Sequence, residues 1–174
     1  MSDNMNVINL GTEKEVKAYE KRMIVYAMTD NMDVDKGMLK KRKPLYLKAD
    51  YMEFNNPYQD HIVISYKDID RFVLKMSTRF HIWGVFSEFR FYLDFDIYVG
   101  HQIHKFEVQN MGTSNDVIDF LKTLPIEIED PIGTFEIFEK HRDHLARTRY
   151  LQANFKKIAK KHGLEYPRQG IGFN

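Results

Sequence analysis

The chain has 174 residues, a formal net charge of +1, 43% hydrophobic and 14% aromatic residues, and no cysteine. That length suits one compact domain plus an appendage. The aromatic content excludes a disordered chain, and the missing cysteines exclude disulfides and thiolate zinc sites. The net charge names no partner, but charge is segregated along the chain. Residues 113–139 carry seven acids against one lysine, residues 141–168 carry eight Lys and Arg against two acids, and residues 36–48 hold six basic groups and no acid.

Residues 1–11 read as a polar leader without the apolar core of a signal peptide, so a cytoplasmic location is expected. Thr12 and Glu15 form a capping box for a short helix to about Arg22. Residues 23–28 are a short apolar run compatible with either helix or strand. Residues 31–37 form a polar turn. From Pro44 strands dominate: residues 45–54 read as two short strands bent at Ala49-Asp50, followed by a turn at Asn55-Asn56-Pro57-Tyr58. Residues 61–66, 69–76 and 80–86 read as further strands, with Gly84 a bend.

Residues 89–99 give the clearest signal. Phe89, Phe91, Leu93, Phe95, Ile97 and Val99 alternate with Arg90, Tyr92, Asp94, Asp96 and Tyr98. Strict alternation predicts an antiparallel strand with one apolar and one wet face. Gly100-His101 would turn it into a strand over 102–109. Thr113 or Ser114 then caps a helix to about Thr123, with Val117, Ile118, Leu121 and Leu124 as its apolar stripe. Pro125 and Pro131 bracket an acidic connector. Thr134 caps one long basic helix to about His162, stopped by Gly163, with Phe138, Leu145, Leu151, Phe155, Ile158 and Ala159 on its apolar side. An irregular tail over 164–174 follows. The expected organisation is a leader and short helix (1–22), a β-rich domain (23–124), and a connector, basic helix and tail (125–174).

Two stretches carry a resemblance. Lys43-Pro44-Leu45-Tyr46-Leu47-Lys48-Ala49-Asp50-Tyr51-Met52-Glu53-Phe54 resembles the opening hairpin of bacterial pleckstrin-homology-like and GRAM-type domains. His61-Ile62-Val63-Ile64-Ser65-Tyr66-Lys67-Asp68-Ile69 resembles their strand into a Tyr-x-Asp-Ile corner. The likeness covers about residues 40–124 and departs from the eukaryotic pattern in lacking a tryptophan in the helix over 113–123. It implies an α+β fold: a bent antiparallel sheet or partly open β-barrel closed by a helix, here with a further long basic helix. It also implies a binding scaffold whose function is set by its loops.

No nucleophile elbow, phosphate-cradling glycine loop or His-Glu-x-x-His is present, so the expectation is no enzyme. Glu88, Asp94 and Asp96 are expected on the wet face of the best strand. His101-x-x-His104 and His141-x-x-His144 have ligand-like spacing but no third ligand, so no metal or other cofactor is expected. The basic clusters are the candidate sites. Lys40, Lys41, Arg42 and Lys43 precede the first clear strand, where the resemblance implies a phosphate-holding role. The alternative is a lysine-protected sheet edge. Arg142, Arg147, Arg149, Lys156, Lys157, Lys160, Lys161 and Arg168 form the second cluster, with Phe155 and Tyr150 beside it. Such a helix suits nucleic-acid phosphates, anionic lipid or an acidic protein surface, or it docks on the chain's own acidic segment. The expected function is a non-catalytic binding or adaptor module engaging a protein partner. Nucleic acid and an anionic membrane are the alternative partners, and a homo-oligomer is compatible.

Overall fold

A computed structural model describes residues 22–32, 43–83 and 85–164, with the backbone alone for residues 80–83, 86 and 87. The leader, the Thr12 capping box, Gly84, most of the polar turn over 31–37 and all but the first residue of the tail over 164–174 lie outside the described residues.

The strands are β1 Met23–Thr29, β2 Lys43–Leu47, β3 Tyr51–Asn55, β4 His61–Ser65, β5 Arg71–Trp83, β6 Phe86–Val99, β7 Gln102–Val108 and β8 Ile128–Glu129. The described helices are α1 Ser114–Leu121, α2 Thr134–Lys140 and α3 His144–His162. The fold is thus α+β, as expected. Its sheet runs β4-β3-β2-β1-β7-β6-β5-β8 and ends in two open edges among the described residues, so it is not closed into a barrel.

The sheet is mixed, where an antiparallel one was expected. β1 lies parallel to both β2 and β7, and β8 lies parallel to β5. The apolar run over 23–28 is therefore a central strand, buried between two partners. Continuous apolar sequence suits that setting and removes the alternation that would have marked a strand. The expected strands over 69–76 and 80–86 are one strand, β5, paired with β6 along its whole length from Arg71↔Tyr98 to Trp83↔Phe86.

Cross-strand register sorts the side chains. Leu74↔Phe95, Met76↔Leu93, Phe95↔Phe106 and Leu93↔Val108 share the apolar face with Ala27, Leu45, Leu47, Met52 and Phe54. The ring centroids of Phe54 on β3 and Phe106 on β7 are 4.9 Å apart. Two strands intervene, so in a flat sheet these backbones would lie about 14 Å apart. The sheet therefore curls around its apolar face. α1 lies against β1, α2 against β5 and α3 against β6, with Phe155 of α3 packed edge-on to Phe91 at 5.3 Å.

Local chemistry explains the junctions. Gly100 turns the β6–β7 hairpin at φ +55, and its N–H donates to Asp70 Oδ2 at 2.6 Å. The Tyr-x-Asp-Ile corner is a 3-10 turn over Tyr66–Asp68, with the Ser65 hydroxyl accepting from the Lys67 N–H. Asn110 continues the β7 side of the ladder past the strand end. Its Oδ1 accepts from the Ala27 N–H at 2.8 Å and its Nδ2 donates to the Ala27 carbonyl at 2.6 Å.

The helix ends depart from expectation. Neither Thr113 nor Ser114 caps α1 with its side chain. The Thr113 hydroxyl is engaged by Tyr26 and Asn110, and the Ser114 hydroxyl donates to the Met111 carbonyl. The single helix over 134–162 is two helices broken at residues 141–143. Asp130 caps α2 by accepting from the Thr134 and Phe135 N–H groups, and Asp143 caps α3 by accepting from Ala146 N–H at 2.8 Å. Gly163 ends α3 at φ +63, as expected. Leu145 is exposed rather than on the apolar side, while Leu151, Phe155 and Ala159 are buried.

Candidate functional site

α3 spans 19 residues, about 28 Å. Arg147, Leu151, Phe155 and Ala159 recur every four residues and are buried, which fixes the rotation of the helix. The opposite side must then face outward. It carries Arg149, Lys156, Lys157, Lys160 and Lys161, all exposed. At 100° per residue these five fall within about 140° of arc and about 18 Å of helix length. None of them makes an ion pair with a described residue, in contrast to the pairs that follow. The cations of the last turn also meet the negative end of the helix dipole.

Arg142 does not belong to this face. It sits in the α2–α3 break and forms a two-pronged pair with Asp119 of α1, Nη1–Oδ1 2.7 Å and Nη2–Oδ2 2.8 Å. The hydrogen bond from Arg142 holds the Asp119 carboxyl below its ordinary pKa. The acidic segment therefore engages Arg142, while Lys122–Glu139 and Lys140–Glu136 pair within that part of the chain. Arg147 is buried, its guanidinium 4.0 Å from the Phe138 ring centroid. The aromatics expected beside the basic face are turned away from it. Phe155 is in the core, and Tyr150 stacks on His141 at 4.4 Å.

Of the other basic cluster, Lys40, Lys41 and Arg42 lie outside the described residues. Lys43 opens β2 and is exposed. Arg168 also lies outside the described residues.

The expected wet face of β6 is in fact covered at its centre: Tyr92, Asp94 and Asp96 are buried, as is Glu107 beside them on β7. These acids are matched by bases on neighbouring strands and at the start of β1. Arg22 pairs with Asp94 at 3.4 Å and with Asp96, and Lys75 Nζ donates to Asp96 Oδ2 at 2.8 Å. Arg79 Nε donates to Glu107 Oε2 at 2.9 Å, and Ser77 donates to Asp94 Oδ1 at 3.0 Å. Burial alone would raise the Asp96 pKa. Hydrogen bonds from Arg22 and Lys75 outweigh it and hold the carboxyl below its ordinary value. Asp96 thus stays ionised at neutral pH and serves the sheet as a charged cross-link. Glu88 alone of the three named acids is exposed.

The histidine pairs separate. His101 is exposed in the hairpin turn, and His104 is half-buried edge-on to Phe54 at 5.5 Å. His141 lies in the helix break and His144 begins α3. Among the described residues no three His, Asp or Glu side chains converge to hold a metal, and no helix is long and apolar enough to cross a membrane.

The signal for the outward basic face was available in the four-residue spacing of Arg147, Leu151, Phe155 and Ala159. The buried charge network carried no such signal. Comparison with protein-family models, curated proteins and solved structures finds no match to this chain.

Proposed function

We propose that the protein is a non-catalytic binding module that engages an acidic surface of a protein partner through the outer face of α3. The observation that carries this reading is the set of five exposed cations, Arg149, Lys156, Lys157, Lys160 and Lys161, without an ion pair to any described residue. Lys156 and Lys160 lie one turn apart, about 6 Å. At physiological salt the screening length is about 8 Å, so the five charges repel one another appreciably. A carboxylate-rich surface relieves that repulsion and speeds encounter. A single-stranded nucleic acid would use aromatic platforms interleaved with the cations, and Phe155 and Tyr150 point elsewhere. The pleckstrin-homology-like resemblance agrees with a binding role, since that scaffold serves recognition through exposed surfaces.

The test is capture of partners from native cell extract by the full chain and by Lys156→Glu/Lys160→Glu, with and without nuclease. The reading expects a protein retained after nuclease treatment and lost with charge reversal or raised salt. Capture that disappears on nuclease treatment transfers the face to nucleic acid. Capture indifferent to the charge reversal removes α3 from the account.

A further inference from the structure

Between β6 and α3 lies a cleft of about 180 Å³, walled by Phe89, Phe91, Leu93, Leu145 and Leu151 among others. Arg147 also lines it and is only 4% exposed. A buried guanidinium ordinarily meets a carboxylate. Among the described residues the hydrogen-bond acceptors of Arg147 are all neutral oxygens. Its Nη1 donates to Asn115 Oδ1 and the His141 carbonyl, both at 2.9 Å, and to the Arg142 carbonyl at 3.3 Å; its Nη2 donates to Ser114 Oγ at 3.1 Å. The Phe138 ring beneath it offers the negative potential of its π face but no formal charge. A guanidinium has five N–H groups. Among the described residues Nε–H of Arg147 has no acceptor and Nη2 makes a single bond, so the Nε–Nη2 edge keeps N–H groups to offer a carboxylate.

We propose that this cleft binds a small monocarboxylate with a ring-sized apolar body, its carboxylate seated on the open edge of Arg147. Size supports a single ring, since an apolar cavity of about 150 Å³ accommodates benzene. Charge geometry supports a planar carboxylate. A tetrahedral phosphate would press further charged oxygens against phenylalanine and leucine walls. Glu88 also lines the cleft, but it pairs with Arg90, so the two add little net charge. Burial lowers the Arg147 pKa and Arg142 acts in the same direction, with Asp143 opposing them, so a seated anion would add to the Asp143 contribution. This site lies on the inner side of α3 and is independent of the basic outer face.

The test is titration of the full chain, followed by NMR, with phenylacetate, its uncharged amide and phenyl phosphate. Phenylacetate should bind saturably with a dissociation constant of about 1 mM or tighter, within reach of a ligand of that size. The amide should bind at least about tenfold more weakly, as should phenylacetate to Arg147→Lys, which loses the planar fork. Because Arg147 joins three helices, a second variant leaves it in place. Leu145→Trp, at a rim position 63% exposed, should fill the cleft and abolish binding with the melting temperature unchanged. Equal affinity for acid and amide, preference for phenyl phosphate, binding that survives Leu145→Trp, or no saturable binding would each overturn the proposal.

Discussion

Removing the Asp96 carboxylate tests whether the polar side of the sheet is held by charge. Asp96 is 3% exposed and is the shared acceptor of Arg22 and Lys75. Taking one partner from a buried pair costs about 3–5 kcal/mol, because the other charge is stranded. Here the cations keep some water: the side chains of Arg22 and Lys75 are 16% and 29% exposed. The lower end applies, about 3 kcal/mol for Asp96→Ala and about 2 kcal/mol for Asp96→Asn, which retains one acceptor. For a chain of this length that corresponds to a melting temperature lowered by roughly 6–12 °C for the alanine variant. Urea unfolding at pH 7 reads the difference as a lower midpoint with the slope unchanged. The pH dependence carries the sign. The folded Asp96 carboxyl has a lowered pKa, so its stabilisation is present above the unfolded value of about 3.9 and is lost as pH falls through the folded one. The gap between wild type and Asp96→Asn should therefore close in acid. A cost below about 1 kcal/mol at pH 7, or a gap that persists in acid, would refute the reasoning, since an exposed pair is worth no more than that.

Asn110→Ala leaves the buried N–H and carbonyl of Ala27 without partners and should cost about 2–4 kcal/mol by the same unfolding assay, whereas a surface asparagine would cost almost nothing. Phe155→Ala empties the contact between α3 and β6 and should cost about 3–5 kcal/mol, with α3 amides exchanging first. Burial lowers the His104 pKa. The neutral ring is therefore favoured in the fold, and stability should be full above about pH 6.5 and decline as pH falls below it. His104→Phe should flatten that part of the stability–pH curve, and an unchanged curve would show that His104 takes no part.

The strand β6 was legible because six apolar residues alternate without a break, and alternation is what a two-faced strand imposes. What covers each face is a different matter. Arg90, Tyr92, Asp94 and Asp96 look like a solvated row when read along the strand. Tyr92, Asp94 and Asp96 are buried because Lys75, Arg79 and Glu107, on strands that only the register brings alongside, and Arg22, just before β1, gather over them. The parallel neighbours of β1 were hidden for a related reason: its partners lie far along the chain and its own sequence has no period. The break between α2 and α3 left a mark that passed for helix. Asp143 three residues before Ala146 is a capping position, submerged in a run of charges that reads as one continuous helix. Arg147 was counted with the basic face by its charge, although its spacing from Leu151 and Phe155 places it on the buried side. Composition registers the cation, and helical phase decides which way it points.

The most direct test of the basic face as a docking surface is a lysine-acylation footprint of the full chain in native cell extract, before and after nuclease treatment. Lys67, exposed beside β4, serves as the internal reference. The account predicts that Lys156, Lys157, Lys160 and Lys161 are protected relative to Lys67, and that protection survives nuclease but fades with salt. Uniform labelling of all five lysines, or protection that vanishes with nuclease, would contradict it.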